Sequence, residues 1–81
     1  MVKIYTKDYC RYCSAAKALL TDKGVPYEEI KIAESDDKTW RDLVARSGMR
    51  TVPQIFHNDK LIGGFDQLSA LDKAQGLDHL K

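Results

Sequence analysis

The sequence has no long apolar segment. Its longest uninterrupted apolar runs, such as Ala18-Leu19-Leu20, fall far short of the roughly 20 residues that span a bilayer. Its first residues, Met1-Val2-Lys3-Ile4, lack the apolar stretch of a secretory signal. A net charge of +1 gives no long-range field that would attract nucleic acid or an anionic membrane. We therefore expect a cytoplasmic protein whose partners include neither nucleic acid nor a membrane.

Cysteine is also scarce, because the chain contains only Cys10 and Cys13. Two residues so close together cannot link distant parts of a chain, so they are not the disulfide framework of a secreted protein. In a reducing compartment such a pair is better explained by chemistry than by stability. The chain has 81 residues, 43% hydrophobic and 31% charged, as in a small globular protein. We expect a single domain over residues 1–81, present as a monomer.

Hydrophobic periodicity predicts seven secondary-structure elements in the order β-α-β-α-β-β-α. Alternating residues predict strands over residues 2–5, 27–32, 54–57 and 60–63. Helical spacing predicts three apolar stripes between and after them: Ala16 with Leu19 and Leu20, Trp40 with Leu43 and Val44, and Leu68 with Leu71 and Ala74.

Turn and capping residues predict where these elements end. Gly24, Gly48 and Gly76 should close the three helices, and Asp66 should cap the start of the third. Asn58-Asp59 predicts a tight hairpin turn, because both residue types tolerate a positive φ. The economical packing of this order is an α/β fold with a four-stranded mixed β-sheet flanked by three α-helices.

The cysteine pair lies where the first strand leads into the first helix. There, unpaired amide groups and the positive end of the helix dipole favour a thiolate on Cys10, our candidate nucleophile. Cys13, one turn further along, can reach the Cys10 sulfur and is expected to resolve a mixed disulfide. The competing hypothesis is half of a zinc site, but its other ligands would be His57 and His79, whose spacing is not that of a zinc motif. The pattern favours thiol–disulfide exchange without a metal.

Three segments carry a resemblance to a known family: Tyr5-Thr6-Lys7, Thr51-Val52-Pro53-Gln54-Ile55-Phe56 and Gly63-Gly64-Phe65-Asp66. Through them the chain resembles the glutaredoxins, above all the small bacterial members with two active-site cysteines. The resemblance implies a thioredoxin-like fold, with glutathione as a cosubstrate and no tightly bound cofactor. It further implies reduction of protein disulfides and glutathione mixed disulfides. The implied partners are disulfide-containing or glutathionylated proteins, ribonucleotide reductase among them.

The same resemblance implies a binding site. Pro53 is expected to be a cis proline that presents the backbone of Val52 to an extended ligand. The helix start after Gly64 would hold the γ-glutamyl end of glutathione, and the Asp66 carboxylate could accept a hydrogen bond from the ammonium of that end. Lys7 would offer its charge to the glycine-end carboxylate. The glutathione-binding candidates are Lys7, Arg11, Tyr12, Thr51, Val52, Pro53, Gly64, Phe65 and Asp66.

Several residues have simpler interpretations. Trp40 is expected to be core or half-buried packing rather than a ligand platform. His57 and His79 are expected to be incidental. Arg50, which adjoins Thr51, is a secondary candidate for glutathione.

Two residues depart from the family pattern. Arg11 stands where many two-cysteine members have proline, so the chain regains an N–H donor and gains a permanent cation beside Cys10. Both changes should stabilise the thiolate and shift the couple toward a more oxidising potential. Gln67 stands where many relatives have an acid, which would leave fewer contacts for the γ-glutamyl ammonium.

Two alternative functions remain open. One is a redoxin of the same fold that is reduced by thioredoxin reductase. The other is a non-catalytic module in which Cys10 of two subunits, together with glutathione, holds an iron–sulfur cluster.

Overall fold

The computed structural model describes residues 1–81, which form four strands and three α-helices in the predicted order. A short 3₁₀ helix, Gly76–Leu80, follows the last α-helix. No helix combines the length and apolar character needed to cross a membrane. The elements are β1 (Val2–Thr6), α1 (Arg11–Asp22), β2 (Tyr27–Lys31), α2 (Asp37–Ser47), β3 (Gln54–His57), β4 (Lys60–Gly63) and α3 (Phe65–Lys73).

The four strands form one mixed sheet in the order β2-β1-β3-β4. β1 runs parallel to β2 and antiparallel to β3, and β4 returns antiparallel to β3. The β3–β4 turn is the predicted Asn58-Asp59 pair, with φ of 50° and 68°. These positive angles match the backbone twist that a two-residue hairpin requires. The mixed sheet predicted from the sequence is therefore confirmed.

Each face of the sheet is covered by helices. On one face, Ile4 and Ile55 lie opposite each other in register and belong to a buried cluster that includes Leu20 of α1 and Leu68 of α3. On the other face, Leu43 of α2 packs against Ile32 and Phe56. The larger cluster is Val2, Ile4, Ala16, Leu20, Val25, Ile55, Leu68, Leu77 and Leu80.

Two helix ends match their sequence signals. Gly24 follows the C-cap of α1 with φ +70°, and Gly48 is the C-cap of α2 with φ +73°. Glycine reaches this left-handed region without the Cβ clash that other residues meet. At the start of α2, the Asp36 carboxylate accepts from the Thr39 N–H at 3.1 Å.

The ends of α3 differ from the predictions. Asp66 does not cap the helix: Gly64 is the N-cap, and Asp66 lies in the first turn. The Gln67 side chain instead folds back, and its Oε1 accepts from the Gly64 N–H at 2.9 Å. Gly76 does not close the helix either, since α3 ends at Lys73. Gly76 begins the 3₁₀ helix, which places Leu77 and Leu80 in the larger cluster.

Candidate active site

Cys10 and Cys13 form a disulfide at the start of α1, with 5.2 Å between their Cα atoms. Cys10 is the N-cap residue, with extended backbone angles, and its Sγ accepts from the Cys13 N–H at 3.1 Å. A sulfur therefore occupies the capping position that an oxygen of Ser or Asp usually fills. Cys13 is only 2% exposed, whereas Cys10 is half-buried. Of the two sulfurs, that of Cys10 belongs to the more accessible residue.

The loop before β3 approaches the cysteine pair. The Val52 carbonyl oxygen lies 3.7 Å from Cys10 Sγ, and the Val52–Pro53 peptide bond is cis, as expected from the resemblance. Gln54 holds this loop from within the protein, where it is fully buried. Its Nε2 donates to the carbonyl oxygens of Met49 at 3.1 Å and Thr51 at 2.9 Å.

Sequence reasoning did not identify Gln54 as a site residue. The signal was its position, a polar residue between Pro53 and the apolar pair Ile55-Phe56 of a buried strand. Buried amide N–H groups require acceptors, because leaving them unpaired costs free energy. Its two bonds to loop carbonyls give Gln54 a role in shaping the backbone around Val52.

One groove beside the cysteines, here called the Tyr12 groove, has a volume of about 450 Å³. Tyr12 is 60% exposed at its rim, and its ring lies 6.0 Å from that of Phe65, centroid to centroid, with a tilt of 35°. The first turn of α3 contributes to the wall, and its N–H groups have no carbonyl one turn earlier in the helix to bind. The lining residues are Tyr12, Met49, Thr51, Val52, Pro53, Gly64, Phe65, Asp66 and Gln67.

A second groove, here called the cysteine groove, also has a volume of about 450 Å³ and shares no lining residue with the first. Both cysteines contribute to it, together with Lys7 and Arg11. The structure therefore divides the candidate binding residues, bringing seven together in the Tyr12 groove and placing Lys7 and Arg11 in the cysteine groove. Its lining residues are Lys7, Asp8, Tyr9, Cys10, Arg11, Cys13, Ser14, Lys17, Glu29 and Lys31.

The charges of the cysteine groove are partly paired. Glu29 accepts from the Thr6 hydroxyl at 2.7 Å and forms a salt bridge with Lys17 at 3.0 Å. These two bonds, that from Thr6 above all, hold the pKa of Glu29 below its usual range. Asp8 forms the other salt bridge of the groove, with Lys31 at 3.2 Å.

Two cations of this groove have no carboxylate partner. Arg11 is exposed and makes no salt bridge or side-chain hydrogen bond. Lys7 also lacks a salt bridge, and its Nζ lies 3.9 Å from the centroid of the Trp40 ring. A cation in that position is attracted to the negative face of the ring. Neither charge is offset by a carboxylate within salt-bridge distance.

The structure also locates the remaining candidates. Trp40 is partly buried against the cluster of Ile32, Leu43 and Phe56, so the predicted packing role is confirmed. Its contact with Lys7 was not predicted. Arg50 is exposed and lines neither groove.

Comparisons with known proteins agree with this geometry. The sequence profile of the glutaredoxin family matches residues 2–62. Glutaredoxin 3 of Escherichia coli (strain K12) is 51% identical over 79 residues, covering 98% of this chain and 94% of that protein. A probable glutaredoxin of Synechocystis sp. is also 51% identical, over 98% of this chain and 72% of its own length.

Solved structures show the same likeness in three dimensions. A buckwheat glutaredoxin in complex with glutathione superposes with a TM-score of 0.88 at 31% identity, covering 98% of this chain and 74% of that one. The solution structure of a glutaredoxin from Brucella melitensis has a TM-score of 0.84 at 43% identity, with coverage of 98% and 85%. The likeness therefore extends over nearly the whole chain in both sequence and fold.

Proposed function

This chain belongs to the glutaredoxin family and is a thiol–disulfide oxidoreductase, and from that premise we propose that glutathione reduces its Cys10–Cys13 disulfide. Its substrates are then protein disulfides and glutathione mixed disulfides. The observation that carries the proposal is the Tyr12 groove, which combines the Val52 backbone, the first turn of α3 and an exposed aromatic ring. A buckwheat glutaredoxin of the same fold is described in complex with glutathione.

In the proposed cycle, the Cys10 thiolate attacks one sulfur of a substrate disulfide. A mixed disulfide forms, and the first substrate thiolate leaves. The Cys13 thiolate then attacks Cys10 Sγ, which releases the second substrate thiolate and leaves the Cys10–Cys13 disulfide. Two molecules of glutathione reduce that disulfide in the same two steps, and they leave as glutathione disulfide. The substrate gains the two electrons that the glutathione molecules lose.

The surroundings of the two sulfurs support this division of roles. Cys10, the half-buried residue at the helix N-terminus, accepts an N–H bond that a negatively charged sulfur would strengthen. Cys13 is 2% exposed, so an external disulfide has poor access to it, while Cys10 is its immediate neighbour. We therefore assign nucleophilic attack to Cys10 and resolution to Cys13.

We propose that the γ-glutamyl end of glutathione lies in the Tyr12 groove, with its cysteine directed at Cys10 and its glycine end extended toward the cysteine groove. The Val52 backbone would pair with the peptide as an added strand does. The first-turn N–H groups of α3 would bind the γ-glutamyl carboxylate, with Asp66 accepting from the ammonium. The contact of Lys7 with the glycine-end carboxylate, and any contact of Arg11, remain predictions.

The setting and the protein partners are part of the same proposal. A glutathione-reduced enzyme requires a compartment where glutathione is kept reduced, which the cytoplasm provides. The polypeptide substrates, ribonucleotide reductase among them, remain predictions from the family resemblance.

The reductant can be tested directly. The oxidised protein is mixed with NADPH and either glutathione plus glutathione reductase or thioredoxin reductase, and NADPH consumption is followed with a glutathionylated peptide as substrate. We expect turnover in the glutathione arm and none above background in the other. Turnover with thioredoxin reductase alone would reject the proposal and favour the alternative redoxin.

A further inference from the structure

The Lys7 side chain joins two parts of the structure that the proposed function does not connect. Lys7 lies between the end of β1 and Cys10, and it lines the cysteine groove with both cysteines. Its ammonium nitrogen lies 3.9 Å from the ring centroid of Trp40, which belongs to α2. One side chain thus reaches from the cysteine groove to a helix on the other face of the sheet.

The Trp40 ring is partly buried and has packing partners on the sheet side. It packs against the buried cluster of Leu43, Ile32 and Phe56. The first turn of its helix is fixed by the bond between the Asp36 carboxylate and the Thr39 N–H. A flexible lysine that rests on such a ring has already lost much of the rotamer freedom that ligand binding would otherwise remove.

The nature of the contact matters as much as its position. Lys17 and Lys31, the other lysines of the groove, each have a carboxylate partner that offsets their charge. The face of an aromatic ring attracts a cation without supplying a compensating negative charge. Lys7 is therefore held in place while its charge remains available to a carboxylate.

We propose that Trp40 is a positioning residue that holds the Lys7 ammonium beside the cysteine groove, ready to bind the glycine-end carboxylate of glutathione. This inference rests on the proposed function, because glutathione must be the ligand. Trp40 itself touches no reacting atom. It acts through Lys7, so its loss weakens binding rather than the sulfur chemistry.

The test compares Trp40→Leu, which removes the ring, with Trp40→Phe, which keeps an aromatic face. Arg46→Gln is the matched control, because Arg46 also lies over an aromatic ring of this cluster, 4.9 Å from Phe56, but lines neither groove. Each variant is assayed with glutathione and with glutathione esterified at its glycine carboxylate. Circular dichroism verifies that each variant is folded.

We expect Trp40→Leu to raise the KM for glutathione about three- to tenfold, with kcat changed less than about twofold. Trp40→Phe should restore most of the affinity, and Arg46→Gln should leave it unchanged. The ester should bind equally well to wild type and Trp40→Leu, because it lacks the carboxylate that Lys7 would meet. A general loosening of the site would instead raise the KM for both ligands.

Fluorescence gives a second readout, since Trp40 is the only tryptophan of the chain. S-methylglutathione, which cannot exchange disulfides, should change the emission of wild type, and a Lys7→Met substitution should abolish most of that change. The inference is overturned if Trp40→Leu leaves the KM for glutathione unchanged or raises it equally for the ester. A wild type without any glutathione-coupled turnover would overturn the proposed function as well, so the two failures can be told apart.

Discussion

The two sulfurs of the active site differ in their surroundings, and this difference predicts unequal effects of substitution. Cys10→Ser should abolish turnover of every disulfide substrate, because the attacking thiolate is lost. Cys13→Ser should retain turnover of glutathione mixed disulfides, in which a second glutathione can resolve the intermediate, and lose at least about tenfold in reducing protein disulfides. The measurement is glutathione-coupled turnover of a glutathionylated peptide and of a protein disulfide. An equal loss in both variants would contradict the assigned roles.

The cation at Arg11 is expected to shift the reduction potential of the cysteine pair measurably. It is the first residue of α1, where proline is well tolerated, so Arg11→Pro should preserve the helix. The substitution removes a cation beside Cys10, which should destabilise the reduced thiolate. We expect the wild type to have a more oxidising potential than Arg11→Pro, as measured by redox equilibration against glutathione.

Two further variants separate the effect of losing the Arg11 charge from the effect of introducing the proline ring. Arg11→Lys keeps a cation and should stay close to wild type, whereas Arg11→Gln removes the charge without adding a ring and should shift toward Arg11→Pro. A wild type with a potential equal to or more reducing than that of Arg11→Pro would reject the hypothesis.

At the scale of single residues, the sequence was informative where the chemistry depends on residue type and spacing. The cysteine pair could be identified as a redox centre because two thiols three positions apart at a helix start allow few other interpretations. Gln54 could not be placed, because its role depends on the carbonyl groups of Met49 and Thr51, which approach it only in the folded loop.

At the scale of secondary-structure elements, the predicted N-cap of α3 was wrong by two positions. Asp66 is a common capping residue, yet the chain is capped at Gly64 and Gln67 folds back onto it. Gln67, which stands where many relatives have an acid, therefore has a structural role: its amide oxygen accepts a hydrogen bond from the Gly64 N–H at the wall of the Tyr12 groove. Sequence patterns define a helix better than its terminal residues.

Glu29 connects three elements and predicts a dependence of stability on pH. It lies on β2 and binds Thr6 of β1 and Lys17 of α1. Its pKa in the folded protein is below the usual value of 4.5, so the unfolded chain binds more protons as the pH falls. The stabilisation is complete above about pH 4.5 and is lost as the pH falls through the lower folded pKa.

The corresponding variant is Glu29→Gln, which should be less stable than wild type at pH 7 by about 0.5–1 kcal/mol, because the pair is partly exposed. Its free energy of unfolding should also fall less steeply below pH 4.5. Urea unfolding at several pH values measures both effects. Glu28→Gln is the control, since Glu28 lies on the same strand without a salt bridge or side-chain hydrogen bond. Equal pH profiles for wild type and Glu29→Gln would contradict this account.

At the scale of the whole molecule, the order of the elements, the mixed sheet and the β3–β4 hairpin could be predicted, because periodicity, turn residues and connection rules leave few arrangements. The division of the site between two grooves could not. It depends on the directions of the Lys7 and Arg11 side chains relative to Tyr12, which neighbouring positions in a sequence do not reveal. The 3₁₀ helix was also missed, since its two buried leucines, Leu77 and Leu80, are too few for a periodic signal.

The small size of the core makes the molecule sensitive to its central residues. Leu20 is fully buried in the larger cluster, whereas Leu61 on β4 is 39% exposed. Leu20→Ala should reduce the free energy of unfolding by about 2–5 kcal/mol through lost burial and a residual cavity. That is a large share of the roughly 4–12 kcal/mol expected for a chain of this length.

Leu61→Ala, the same change on the surface, should cost less than about 1 kcal/mol. Urea unfolding measures the difference as a lower midpoint at an unchanged m-value. Folded Leu20→Ala should keep the thiol–disulfide exchange rate of wild type at low temperature, since Leu20 lines neither groove. Similar midpoints for the two variants would mean that the cluster around Leu20 does not dominate stability.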